Sequence, residues 1–274
     1  MWYSAIMIEP SIDSPHVLRE YALLADGRRG ALIGPRGEAS WLCVPQWDGE
    51  PVFDALLGGT GVYAVTPARQ FVWGGYYDTG TLIWHSRWIS GHAVIECREA
   101  LAFPGRAHRA VLLRRIRALR DDAEVDVLLR PGAAFRGSGS QRRVNGVWEA
   151  QWGSARMRWS GAAKIAADGE GGWRGRLRIP AGRHHDLVLE LSDITLPEEP
   201  AEAEFEWAET ESAWRRHALE LGDTVAPRDA SQAYAVLRGL TADTGGMVAA
   251  ATTSLPARAD RDENYDHRYA WIPQ

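Results

Sequence analysis

Residues 264–271 read Asn-Tyr-Asp-His-Arg-Tyr-Ala-Trp. Within that stretch stand a carboxylate (Asp266), an imidazole (His267), a guanidinium (Arg268) and two aromatic rings (Tyr269 and Trp271). Fixed acceptors and multi-donor groups orient hydroxyls, and flat rings cover apolar faces, so the cluster suits a polar ligand. Tyr269 and Trp271 are the leading candidates for substrate contact, with packing between domains as the competing role. A second candidate is Trp47-Asp48, which follows the strand-like run "WLCVP". Either that loop reaches a binding site, or it is a sheet-end turn with a packed indole.

Other chemistry-bearing groups read as structural. His184-His185-Asp186 is a poor metal site, because neighbours in a strand point to opposite faces. Asp260, Asp262 and Glu263 lack calcium-loop spacing and read as a polar loop. "RGSGSQRR" (136–143) lacks the lysine and the strand–loop–helix setting of a phosphate loop, and reads as a hairpin connection. Cys43 and Cys97 sit in strand-like runs and read as buried free thiols in preference to a disulfide, with no metal-ligand spacing. The expectation is no cofactor and no metal.

The chain of 274 residues carries a net charge of −5 and no basic cluster, which excludes an electrostatic nucleic-acid partner. No apolar run approaches the roughly 18 residues that span a bilayer, so no membrane partner is expected. The first residues lack a secretory signal pattern, and the default location is cytoplasmic. Thirteen tryptophans stand against five phenylalanines. Indole suits sugar rings, but it also fills the core of a large β-sandwich.

Positioning these groups falls to a β-rich stretch from about 16 to 192. Roughly ten to twelve short strands, punctuated by Gly, Pro, Asp and Asn, predict an antiparallel sandwich. Asn145-Gly146 marks a hairpin, and Asp121-Asp122 a turn. The proline- and acid-rich stretch from 197 reads as a linker entering a helix. Trp207, Trp214, Ala218 and Leu221 share one face of it. Glu198, Glu199, Glu202, Glu204, Glu206, Glu209 and Glu211 read as its solvated face and acidic start. A second helix follows over 228–243. Its predicted buried stripe is Ala230, Ala233, Tyr234, Leu237 and Leu240, and Gly245-Gly246 is its stop. The expected units are 1–196, a sandwich; 197–226, a linker with a helix; and 227–274, the start of a helical unit.

Two long stretches carry a family resemblance. Residues 19–59, "REYALLADGRRGALIGPRGEASWLCVPQWDGEPVFDALLGG", and 244–274, "TGGMVAAATTSLPARADRDENYDHRYAWIPQ", resemble the opening and the later domain join of glycoside hydrolase family 15, the bacterial glucoamylase-like and trehalase-like proteins. The resemblance implies a mainly β fold: an antiparallel β-super-sandwich, a helical linker, and the first helix of an incomplete (α/α)6 barrel. It also implies inverting hydrolysis of α-glucosidic bonds, with an α-glucan, an oligosaccharide or trehalose as substrate and no cofactor. The family's catalytic glutamates lie downstream of its Tyr-Arg-Tyr-x-Trp motif, so no catalytic residue is expected within 1–274. Asn264, Tyr265, Asp266, Arg268, Tyr269, Trp271 and Ile272 match that motif. His267 replaces a tyrosine that helps place the catalytic water. Pro273 and Gln274 stand where Arg-Asp would hold the terminal glucose. A frameshift or an end imposed near Ile272 would account for this, and the expectation is a truncated chain, inactive alone. Exposed apolar surface on 228–256 should then be covered by a separate barrel chain or by self-association through helix 228–243. The rival expectation is a non-catalytic sandwich module that stabilises a barrel or binds glucans.

Overall fold

Periodicity along single strands builds two faces. In β9 (Arg109–Arg120), Ala110, Leu112, Ile116 and Ala118 point into one apolar core, while Val111 and Leu113 point into another. The first core is the space between two sheets, and the second lies beneath two helices. The computed structural model describes residues 15–135, 139–253 and 266–271.

One sheet runs β1 (Ala22–Ala25), β2 (Gly30–Ile33), β3 (Glu38–Val44), β5 (Val62–Pro67), β10 (Ala123–Arg130), β15 (Trp173–Ile179) and β14 (Ala166–Ala167), with β4 (Glu50–Phe53) paired to β3. The other runs β11 (Ser140–Val144), β12 (Val147–Trp152), β13 (Ala155–Ser160), β16 (His184–Ser192), β9, β8 (Ala93–Leu101), β7 (Trp84–Ser90) and β6 (Val72–Tyr77). Every pairing is antiparallel, as in the expected sandwich. The described residues form sixteen strands, more than the ten to twelve expected, because runs such as 30–44 fold back as two strands at a tight turn.

Asn145 and Gly146 both adopt positive φ between β11 and β12, as the hairpin signal required. Asp121 also has positive φ, but its turn carries the chain from one sheet to the other. Residues 140–143, expected in a loose connection, are strand at the sheet edge; 136–138 lie outside the described residues.

Tryptophan answers mainly to packing. Trp159 and Trp173 lie wholly buried between the sheets, with Trp148, Trp152 and Tyr63 edge-on around them. Among the described tryptophans only Trp271 is exposed.

Helix α1 (Ala203–His217) lies on the outer face of the second sheet and buries Trp207 and Trp214 as expected. It is shorter than the pattern suggested: Ala218 is its cap and Leu221 lies beyond it. The glutamates are not simply solvated. Glu202 caps the helix by accepting from the Glu204 and Phe205 N–H groups, and Glu206 is buried against a bidentate Arg106. The linker is anchored likewise. Buried Arg158 donates to both oxygens of Glu190 at 2.7 and 2.9 Å and to the carbonyls of Pro197 and Glu199. We expect Arg158→Ala to leave Glu190 less compensated, to cost about 3 kcal/mol, and to speed proteolysis after Glu198 and Glu199. Unchanged cleavage would show that α1 packing alone holds the linker.

Helix α2 (Pro227–Leu240) corrects the predicted stripe. It packs through Ala235 and Gly239, with Val236 and Leu240 beside them, whereas Ala233 and Leu237 are exposed and Ala230 and Tyr234 half-buried. The reason is close approach: a Cβ on Gly239 would stand 2.4 Å from Leu82 and 3.1 Å from the Ala25 side chain. Small residues therefore form the centre of the buried face, with Val236 and Leu240 at its edges and Leu237 pointing away. The helix ends at Thr241 in extended conformation, before Gly245-Gly246, which instead lie in a turn closed by Ala242 N–H to Gly246 O.

Candidate functional site

The two stretches singled out in the sequence come together in space. The β3–β4 loop holds Trp47 and Asp48, and segment 266–271 meets it through the Arg268 side chain and through Tyr269 beside Asp48. Arg268 Nη1 faces Gly49 O at 3.1 Å, Trp47 O at 3.4 Å and Cys43 Sγ at 3.4 Å. Its Nε and Nη2 donate to both oxygens of Asp266, at 2.8 to 3.2 Å. That charged bond holds the Asp266 carboxyl below the usual carboxylate range. Burial pushes the Cys43 thiol up to about 11, against the opposing pull of Arg268.

Backbone bonds complete the seat. The Ala250 N–H donates to His267 O at 2.9 Å and the Ala249 N–H to Tyr269 O at 3.3 Å. Residues 249–251 are held from below, where Trp41 Nε1 donates to Ala251 O at 2.7 Å.

The predicted residues divide into two groups. Trp47 is buried: its ring packs against Gly30, and its Nε1 faces Gly27 O at 3.4 Å. His267 is half-buried. Asp48, Tyr269 and Trp271 are exposed, the last two at 48% and 56%. The Asp48 carboxylate lies beside Tyr269 and raises the pKa of its hydroxyl by charge. Trp271 is steadied by Nε1–H donating to Asp266 O at 3.1 Å. An exposed indole, a phenol and a carboxylate on a fixed seat can stack on a ring and bond its hydroxyls. Neither Arg268 nor Cys43 was singled out from sequence as a site residue. Arg268 carried a signal, since it is itself a matched residue of the motif, but its partners in the sandwich lie more than 200 residues away. Asn264, Tyr265, Ile272, Pro273, Gln274, Asp260, Asp262 and Glu263 lie outside the described residues.

On the second sheet, His184 and Asp186 share a face with Glu204 of α1, while His185 turns away and contacts Gly161 O. Arg115 already bonds both carboxylates, at 2.7 to 3.0 Å, and occupies the place a cation would take.

Residues 12–138 match the family model described as trehalase-like, N-terminal. Over that stretch the chain is trehalase-like in sequence. It is 28% identical over 310 aligned residues to a trehalase of Mycolicibacterium smegmatis, covering 96% of this chain and 44% of that protein. It is 27% identical to a trehalase of Mycobacterium tuberculosis, covering 93% and 42%. The chain thus spans less than half the length of these curated relatives. A bacterial glucoamylase crystallised with acarbose superposes with a TM-score of 0.52 at 10% identity, over 88% of this chain and 44% of that one, which shows the shared fold. The trehalase-like match takes in β1 to β10, and with them the β3–β4 loop that receives Arg268. Among the described residues no helix is long and apolar enough to cross a membrane.

Proposed function

We propose that these residues belong to an inverting α-glucoside hydrolase of glycoside hydrolase family 15 type, acting on trehalose, α-glucans or oligosaccharides. The observation that carries it is the placement of Asp48, Tyr269 and Trp271 as exposed groups on a fixed seat, in a chain whose other described tryptophans are packed away. The mycobacterial trehalase similarity supports it.

Inversion needs two carboxyl groups, roughly 6.5–9.5 Å apart, one protonating the leaving oxygen and one activating water. The acid must hold its proton near neutrality. Asp266 cannot, because Arg268 keeps it ionised. Burial does raise the Glu99 carboxyl, but that group is sealed between the sheets. In this proposal neither catalytic carboxylate comes from residues 1–274, and these residues alone are inactive. Residues 1–196 form the sandwich and 197–226 the linker. Residues 227–274 begin an (α/α)6 barrel whose further helices cover the outward stripe of α2.

Two assays test this. Residues 1–274 should release no glucose from trehalose, maltose or isomalto-oligosaccharides; turnover that tracks the purified chain would refute the assignment of the carboxylates elsewhere. The protein purified from its native cell should, by NMR, release β-glucose from the non-reducing end of maltose or isomalto-oligosaccharides, or one β- and one α-glucose from each trehalose. No release from any of the three would end the hydrolase reading.

A further inference from the structure

Within 266–271, Arg268 bonds Cys43, Trp47 and Gly49 of the sandwich, while Tyr269 meets the exposed Asp48 carboxylate; the Arg268 side chain is 13% exposed, against 31% for Asp266 two residues before it. All three guanidinium nitrogens are engaged, Nε and Nη2 on Asp266 and Nη1 on the acceptors of the β3–β4 loop. The Asp266 bonds fold the segment on itself, and the Nη1 bonds tie it to the sheet. We propose that Arg268 is a positioning residue, through which the sandwich sets the height and tilt of Tyr269 and Trp271 and so the affinity for a glucosyl ring. This rests on the reading of 266–271 as sugar-facing.

The division of labour follows from the donor geometry. A planar five-donor fork can serve a carboxylate and carbonyls at once, whereas a lysine is a point charge with three donors. Lysine at 268 should keep a bond to Gly49 O or Trp47 O and lose the fork on Asp266. An alanine loses both. The consequence falls on binding more than on chemistry, because the groups displaced are the ring-stacking ones.

The chain provides its own probe. Its two thiols, Cys43 and Cys97, are both buried, but Cys43 lies under Arg268 and Cys97 lies between the sheets. In residues 1–274, Arg268→Ala should let Cys43 react with an aromatic disulfide reagent about tenfold faster, while Cys97 keeps its parent rate and certifies the fold. Should both thiols react, Arg268→Lys and Arg268→Gln, which keep the aliphatic stem, take its place in the same assay. Unchanged Cys43 labelling in a folded variant overturns the tie.

In the native-length enzyme, loss of these charged bonds should raise KM about tenfold or more with kcat nearly kept, and Arg268→Lys should recover part of it. An active parent whose KM ignores Arg268→Ala overturns the positioning role. A parent with no glucosidase activity removes the reading of the site instead, and the thiol assay still decides the tie.

Discussion

Replacing Arg114 with alanine should cost the sandwich about 3–5 kcal/mol, the range for breaking a buried ion pair from one side. Arg114 on β9 and Glu99 on β8 are register partners that face the space between the sheets, and neither is exposed. Arg114 Nη2 stands 3.0 Å from Glu99 Oε1, Nη1 donates to Tyr63 O at 3.0 Å, and the guanidinium lies 4.2 Å from the Tyr63 ring centre. Ser86 donates to the other Glu99 oxygen. Burial already raises the Glu99 carboxyl, with Arg114 opposing it. Without the arginine that carboxyl must take up a proton or stay charged in a dry core. Replacing both partners together, as Arg114→Met with Glu99→Leu, should recover most of the loss. Urea denaturation of the parent and these two variants measures this. A loss below about 1 kcal/mol for the single change would show that water reaches the pair.

Stability should also depend on pH through one cluster on the outer face of the second sheet. His85 Nε2 meets Asp78 at 3.1 Å and its Nδ1 meets Glu96 at 3.4 Å, with the Tyr76 ring stacked on the imidazole. Arg87 and Arg117 bond Glu96, while Arg98 joins Asp78 to Glu211 of α1. Burial alone would lower the pKa of His85, but the two carboxylates outweigh it and raise the value above 6.5. Burial would raise Glu96, but His85, Tyr76 and Arg87 hold it at about 2; Asp78 is also held at about 2, led by the His85 bond. The signs oppose each other. The carboxylate contribution is complete above their ordinary values near 4 to 4.5 and is lost as pH falls toward 2. The His85 contribution is complete below 6.5 and is lost as pH rises through its folded value. The melting temperature should therefore be highest between these limits. With the rim guanidiniums screened by solvent, the acid limb is worth about 2 kcal/mol. His85→Gln should flatten the alkaline limb. Persistence of that limb in the variant would place the titration elsewhere.

The sequence alone determined the class of the fold and the segments that carry chemistry. Alternating apolar residues specified an antiparallel sandwich because a strand has period two, and Asn145-Gly146 specified its hairpin because that turn demands positive φ. Trp207 and Trp214 specified the buried face of α1 because seven residues make nearly two helical turns. Residues 19–59, which lie within the trehalase-like match, carried that relationship in the sequence itself. What only the tertiary structure decided concerns groups whose partners are distant in the chain. Glu206 is buried because Arg106 meets it from 100 residues away. Gly239, with Ala235 buried on the same face of α2, points inward because the helix there approaches Leu82 and Ala25 too closely for a larger residue. Trp47 belongs to the core and Trp271 to the surface, although local sequence offers the same indole at both. Arg268 acts on Cys43, Trp47 and Gly49 for the same reason: local pattern fixes which way a side chain points within its own element, and only packing fixes what stands there to meet it.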